Sequence, residues 1–220
     1  MRLGKRVVDA FKFLFTNPLI FLVYLPITLL GLLSVYVDFT TTLNSVLAVL
    51  YMAVMLSLTS FVFAFIILKT AYYESNKKVT FKQNFSVSKG KFLPLLLAEF
   101  IMILAVIIIS TLINFVSLIW TTNLGIAVSI VLAILFIALL VKLLLFAPSS
   151  VLKGGLGFGE SWKLEKLKRF FELLLLVVAY SLISFGLSYV PYAGYLIDSL
   201  VFGPVLMIII TMLYLDYLKK

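Results

Sequence analysis

The chain has 220 residues, of which 64% are hydrophobic and 12% are charged, and it carries a net charge of +9. Soluble domains are roughly 45–50% apolar and about 25% charged, so a chain this apolar has too little polar surface to cover a soluble core, which predicts an integral membrane protein. The absence of cysteine and histidine excludes disulfides, thiolate chemistry, imidazole base catalysis and the usual His/Cys metal sites.

The N-terminal segment has the pattern of an amphipathic helix. On a helical wheel its apolar arc carries Leu3, Val7, Val8, Phe11, Leu14 and Phe15, and the opposite arc carries Arg2, Lys5, Arg6, Asp9 and Lys12. This pattern is typical of a helix at the membrane interface that turns a basic face toward anionic headgroups. We therefore predict interfacial anchors at Arg2, Lys5, Arg6, Phe11, Lys12 and, in a later segment, Trp162.

The same segment does not read as a signal peptide. Asp9 and Lys12 interrupt its apolar run, and no small-residue cleavage site follows. Asn17-Pro18 then breaks the helix and lets the chain turn into the first span.

Six apolar stretches are long enough to cross the roughly 30 Å of bilayer hydrocarbon, which takes about 20 helical residues. They cover about 19–37, 45–68, 92–119, 124–147, 170–190 and 195–215. The sequence therefore predicts an all-α integral membrane protein with six transmembrane helices in a single domain, residues 1–220.

The basic residues are gathered at one face of the membrane. Of the 18 Lys and Arg residues, 17 lie before span 1, between spans 2 and 3, between spans 4 and 5, or after span 6. By the positive-inside rule both termini are expected in the cytoplasm. The expected partners are membrane lipids with anionic headgroups at that face and a membrane-protein partner or second copy, and we do not expect nucleic-acid binding.

A weak repeat accompanies this plan. The segments at 81–95 and 158–172 each carry two aromatic residues four apart, followed by a basic stretch that enters a span. Aligning Phe11, Phe85 and Trp162 predicts three units, 1–74, 75–150 and 151–220, each with an interfacial segment and two spans. Chance similarity between apolar sequences is an open alternative.

Two stretches carry a resemblance to a known group: "FTNPLIFLVYLP" at 15–26 and "FAPSSVLKGGLGFGESWKLEKLKRFFELLLL" at 146–176. The chain resembles prokaryotic integral membrane proteins that include the membrane domain preceding some glycerophosphodiester phosphodiesterases and the YciC-like proteins. The matching residues are Asn17, Pro18, Pro148, Gly154, Gly155, Gly159, Ser161, Trp162 and Lys168. The resemblance implies an all-helical fold in a prokaryotic cytoplasmic membrane and no established activity.

Two ionisable residues lie deep within predicted spans, where a charge costs about 2.5–3.5 kcal/mol on insertion scales. Glu99 in span 3 and Lys142 in span 4 are expected at similar depths from the basic face. One hypothesis pairs them as an intramembrane ion pair. In the alternative, Lys142 extends to the headgroups and Glu99 is solvated by a vestibule.

Three classes of function remain open. No catalytic motif or cofactor-binding motif is present, and "GGLGFG" at 154–159 lacks the preceding strand of a nucleotide loop and is expected to be a flexible linker. We expect a non-catalytic scaffold, lipid-interacting or partner-binding module without a cofactor. The alternatives are a small transporter or channel with a pathway through Glu99 and Asp198, and a membrane enzyme that uses carboxylates. A water-filled cavity at Glu99 would favour transport, and an apolar lateral groove would favour lipid or partner binding.

Overall fold

A computed structural model describes residues 2–34, 42–119, 123–164, 167–190 and 192–219, and these ranges contain helices and no strand. The long helices are α2 (Leu19–Ser34), α3 (Thr42–Glu74), α4 (Phe81–Ile119), α5 (Asn123–Leu143), α8 (Leu167–Ser188) and α10 (Gly203–Leu218). The remaining helices are α1 (Arg2–Thr16), α6 (Phe146–Lys153), α7 (Phe158–Leu164) and α9 (Ala193–Ile197). A π-helical turn, Asp198–Phe202, joins α9 to α10. The expected all-α fold is confirmed.

Five stretches are long and apolar enough to cross a membrane: Val46–Glu74, Phe81–Phe115, Ala127–Lys153, Arg169–Ser188 and Ala193–Leu218. The sixth candidate is the bent pair of α1 and α2, in which α2 has 16 residues. The chain is therefore a multi-pass membrane protein. Residues 35–41, 120–122 and 191, in the loops expected opposite the basic face, lie outside the described residues.

The bend between α1 and α2 measures 89°, so the two helices are nearly perpendicular. With α2 running along the bundle, α1 lies across its end. Pro18 has no backbone N–H to continue α1, and the side-chain amide of Asn17 donates to the Phe13 carbonyl at 2.8 Å. These two residues end α1 where the sequence predicts the break.

The second predicted interfacial segment differs from expectation. Residues 81–95 do not form a separate helix but the first turns of α4, which runs unbroken for 39 residues with Pro94 inside it. A capping box starts this helix, because the backbone N–H of Gln83 donates to Thr80 Oγ1 and the backbone N–H of Thr80 donates to Gln83 Oε1. In the third predicted segment, α7 is a short separate helix before α8. The threefold repeat stays a prediction.

The core lies in one half of the bundle, near the end that carries Arg6, Lys77 and Arg169, which we call the basic end. In α3 the buried residues begin at Ser60, and no residue from Val46 to Thr59 is buried. The same holds for α4, whose described side chains beyond Glu99 are never buried. The central helix is α10, since 11 of its 16 residues are buried.

Glycine is required at two tight places. In the link between α6 and α7, Gly157 has φ +77° and a Cβ there would lie 2.3 Å from the Phe146 carbonyl oxygen. At the start of α9, a Cβ on Gly194 would lie 1.9 Å from the backbone oxygen of Leu187. A backbone atom cannot move aside as a side chain can, so α9 packs this closely only with glycine at 194.

We predict that Gly194→Ala lowers the free energy of unfolding by about 1–3 kcal/mol, the usual range for overpacking. Gly186→Ala is the matched control, because nothing lies within 4 Å of its Cβ position on α8. Thermal unfolding in detergent should show a lower midpoint for Gly194→Ala and an unchanged or higher one for Gly186→Ala. Equal midpoints for the two variants would contradict the close approach.

Candidate functional site

An ion cluster at the basic end joins three distant parts of the chain. The Arg6 guanidinium donates to Glu74 Oε1 through Nη1 at 2.8 Å and to Asp216 Oδ2 through Nε at 2.8 Å. Its Nη2 donates to the second oxygen of each carboxylate. Each carboxylate is therefore held by two parallel hydrogen bonds, the strong fork geometry of arginine. The cluster fixes α1 to the ends of α3 and α10.

The position of Arg6 corrects one sequence prediction. Arg6 was expected on the arc that faces headgroups, but its side chain is only 15% exposed and points between two carboxylates. The hydrogen bond to Asp216, followed by that to Glu74, holds the pKa of Arg6 above its ordinary value. Arg6 is therefore a fixed charge inside the fold and not a free anchor for lipid.

The other predicted anchors have different surroundings. Lys5 and Lys12 are exposed, and the side chain of Arg2 lies outside the described residues. The ring of Phe11 packs edge-on against Phe202 with centroids 6.0 Å apart, so it contacts the end of the π-helical turn. Trp162 is half exposed, and its ring lies 4.0 Å below the Lys142 ammonium.

Helix α1 has three faces where the wheel shows two: a buried face, an exposed apolar face and an exposed basic face with Lys5 and Lys12. The face toward the protein is buried and carries Leu3, Ala10, Phe13 and Leu14. A second, apolar face is exposed at Val8 and Phe15. An isolated helical wheel cannot separate a protein-facing residue from a lipid-facing one when both are apolar, so the expected apolar arc contains parts of both faces.

The structure does not pair Glu99 with Lys142. Glu99 is 8% exposed, and its Oε2 accepts a hydrogen bond from Ser60 Oγ at 2.5 Å. The Lys142 ammonium instead lies over the Trp162 ring as a cation–π contact. Both side chains belong to the described part of the chain, and no ion pair joins them. The predicted pair is wrong because similar depth does not set the direction in which each helix turns its side chains.

Asp198 lies in a second intramembrane polar group. Its Oδ1 accepts a hydrogen bond from Ser184 on α8 at 2.9 Å, and it begins the π-helical turn. The neighbouring Ser199 shares a 2.7 Å hydrogen bond with Thr28 on α2. Tyr24 is 6% exposed and lies within electrostatic range of both Glu99 and Asp198, the two carboxyl groups of the predicted pathway.

A basic pocket of about 370 Å³ opens between the end of α1 and the end of α3. It is lined by Phe13, Asn17, Lys69, Tyr72, Tyr73, Lys77, Lys78, Val79 and Thr80. Its volume falls in the range of small-molecule sites, roughly 300–1,000 Å³. The pocket combines cationic groups with aromatic walls.

An apolar groove of about 110 Å³ lies on the other side of α1, between α8 and α10. It is lined by Val7, Phe11, Leu176, Ala179, Tyr180, Ile183, Phe202, Val205, Leu206 and Ile209. Tyr180 brings the one polar group among these side chains. Neither this groove nor the basic pocket is lined by Glu99 or Asp198.

Sequence reasoning missed the partners of the charged groups. Glu74 and Asp216 lie in or next to strongly basic segments. An acidic residue in such a segment indicates that it pairs with a cation, and this signal could have predicted the cluster. Ser60 and Tyr24 gave no such signal, because hydroxyl groups are common in membrane helices and usually bond within their own helix.

We predict that Arg6→Gln lowers the free energy of unfolding by about 2–4 kcal/mol, since it removes the half-buried cation that Glu74 and Asp216 share. Lys5→Gln removes the same charge from the adjacent, exposed position and should change stability little. Thermal unfolding in detergent compares the two. Partial recovery in the double variant Arg6→Gln/Glu74→Gln is expected, and equal stability of Arg6→Gln and Lys5→Gln would contradict the cluster.

A double-mutant cycle tests the separation of Glu99 from Lys142. The unfolding free energies of Glu99→Gln, Lys142→Gln and the double variant should add to within about 0.5 kcal/mol, as for sites without a shared partner. The charge-swapped variant Glu99→Lys/Lys142→Glu should not recover expression that the single changes lose. Recovery of expression, or a coupling free energy well above that limit, would support the ion pair and contradict the separation of the two side chains.

Comparisons with known proteins leave the family open: no family model, no curated protein and no solved structure matches the chain. The resemblance to the YciC-like group therefore stays a prediction.

Proposed function

We propose that this protein is a non-catalytic, multi-pass module of a prokaryotic cytoplasmic membrane that binds membrane lipids, with its basic end and both termini in the cytoplasm. The orientation is supported by the distribution of Lys and Arg, 17 of which flank one face. The exposed Lys5 and Lys12 of α1 add an attraction to anionic headgroups, worth about 1 kcal/mol per cation near the surface.

The apolar groove is the observation that carries this proposal. Its walls come from α8, the end of the π-helical turn and α10, which belong to membrane-crossing stretches, and Val7 and Phe11 of α1 complete its lining. A groove with almost no polar lining, on the side of a membrane bundle, suits an acyl chain and not a polar substrate. Its volume of about 110 Å³ gives room for a segment of one chain.

Transport is the second candidate function, and Tyr24 favours it. The phenol lies within electrostatic range of Glu99 and Asp198, and Ser60 and Ser184 bind those two carboxyl groups. A line of hydroxyl and carboxyl groups could pass protons between the two faces. Proteoliposomes with an internal pH dye would show proton flux that Glu99→Gln abolishes if this candidate is right, and no flux above empty vesicles if it is wrong.

We predict that filling the groove reduces lipid retention. Ala179→Trp places an indole among the groove-lining side chains, and Leu182→Trp adds the same group on the same helix at a position that is 66% exposed and outside the groove. Native mass spectrometry of protein purified in mild detergent should show fewer bound phospholipids for Ala179→Trp than for Leu182→Trp.

Matched thermal unfolding of the two variants separates a lost ligand from a damaged fold. Equal retention by both variants and by the unchanged protein would mean that the groove holds no chain. Absence of any bound phospholipid from the unchanged protein would count against lipid binding as the function.

A further inference from the structure

We propose that the basic pocket binds the phosphate group of an anionic glycerophospholipid. This inference deepens the proposed function and rests on it for the source of the phosphate, since a free phosphate ester offers the same chemistry. The pocket is separate from the apolar groove, because Phe13 and Asn17 on one flank of α1 line the pocket, and Val7 and Phe11 on the other flank line the groove.

The charge of the pocket is uncompensated by protein. Lys69, Lys77 and Lys78 line it, and none of its described lining residues is acidic. No ion pair to any of the three is found in the described ranges, and Lys69 Nζ donates only a long bond, 3.5 Å, to the Val79 carbonyl. Three ammonium groups around one cavity without a carboxylate give a site that attracts an anion.

Three other cations at this end of the bundle have a partner within the protein. Arg6 is held by two carboxylates, and Lys153 donates to Glu160 at 2.6 Å, a bond that lowers the pKa of that exposed carboxyl group. The Lys142 ammonium lies on an aromatic ring. Arg6, Lys153 and Lys142 thus have partners within the protein, whereas the described residues offer no ion-pair partner to the three lysines that line the pocket.

Local sequence holds the pocket in shape on both sides. Helix α3 ends in a Schellman motif, in which Lys77 N–H donates to the Tyr72 carbonyl at 2.9 Å and Asn76 N–H donates to the Tyr73 carbonyl at 3.0 Å. Asn76 has φ +53°, the left-handed conformation that this motif needs and that asparagine tolerates. The capping box at Thr80 then starts α4, so that the lysines lie between two fixed turns.

The aromatic walls fit the uncharged part of a lipid headgroup. Phe13 and Tyr73 pack with their ring centroids 4.7 Å apart, and Tyr72 lines the pocket beside them. Tyrosine favours the depth at which glycerol and ester groups lie in a bilayer, since its ring is apolar and its hydroxyl is polar. A phosphate at the lysines would place the glycerol against these rings, with the acyl chains continuing toward the bilayer.

The test measures ligand affinity for two lysine variants that lose the same charge. Lys77→Gln/Lys78→Gln removes two cations from the pocket, and Lys82→Gln/Lys89→Gln removes two exposed cations from the start of α4, outside the pocket. A third variant, Lys77→Arg/Lys78→Arg, keeps the charge. The probes are phosphatidylglycerol, phosphatidylcholine and glycerol 3-phosphate, titrated against the unchanged protein and the three variants in detergent by native mass spectrometry.

We expect the pocket variant to bind phosphatidylglycerol about tenfold or more weakly than the control variant, since each lysine close to the phosphate contributes about a severalfold effect and the control lysines lie outside the pocket. The arginine variant should bind like the unchanged protein, and phosphatidylcholine binding should be the same in all. Glycerol 3-phosphate at millimolar concentration should not displace phosphatidylglycerol.

Two other results would overturn the proposal or part of it. If the pocket and control variants bind phosphatidylglycerol equally, the pocket is not the site, and lipid binding through the groove still stands. If glycerol 3-phosphate binds through Lys77 and Lys78 and no phospholipid binds, the phosphate site stands, its source is soluble, and the proposed lipid function fails.

Discussion

The structure depends on one charged contact, the Arg6 guanidinium between the carboxylates of Glu74 and Asp216. A single charge at this half-buried place would be costly, but a guanidinium with two forked carboxylates satisfies all three groups. The contact joins α1 to the ends of α3 and α10. Because α1 contributes one flank to the basic pocket and the other to the apolar groove, both candidate lipid contacts depend on where Arg6 holds this helix.

The packing of the bundle is consistent with this central role. Buried side chains concentrate near the basic end, whereas the described outer parts of α3, α4, α5 and α8 bury none. In a membrane no hydrophobic effect draws apolar helices together, because lipid chains are as apolar as leucine. Polar partners lie in the tight half, such as Ser60 with Glu99 and Arg6 with its carboxylates, and a second polar group, Ser184 with Asp198, lies in the open half. The open half leaves helix surface for lipid or for another protein.

Much of the fold could be predicted because it follows from solvent and chain length. Apolar stretches of about 20 residues, the break at Asn17-Pro18 and the basic face all read directly from the sequence. Rotation about each helix axis could not be predicted. Arg6 and Lys5 look alike on the wheel, yet the partners of Arg6 are 68 and 210 residues away. The pairing of Glu99 with Lys142 was predicted from their depth alone. The basic pocket could not be predicted, because it forms only when Lys69 of α3 lies beside the end of α1, which is distant in sequence.

Spin-label distances across the basic end test most directly whether Arg6 holds α1. The chain has no cysteine, so cysteines placed at the exposed Lys12 and Lys82 can be labelled alone and their separation measured by double electron–electron resonance in bilayers. A docked α1 predicts one narrow distance distribution that broadens when Arg6 is replaced by glutamine. A broad distribution in the unchanged chain, or a narrow one that does not respond to the loss of Arg6, would contradict it.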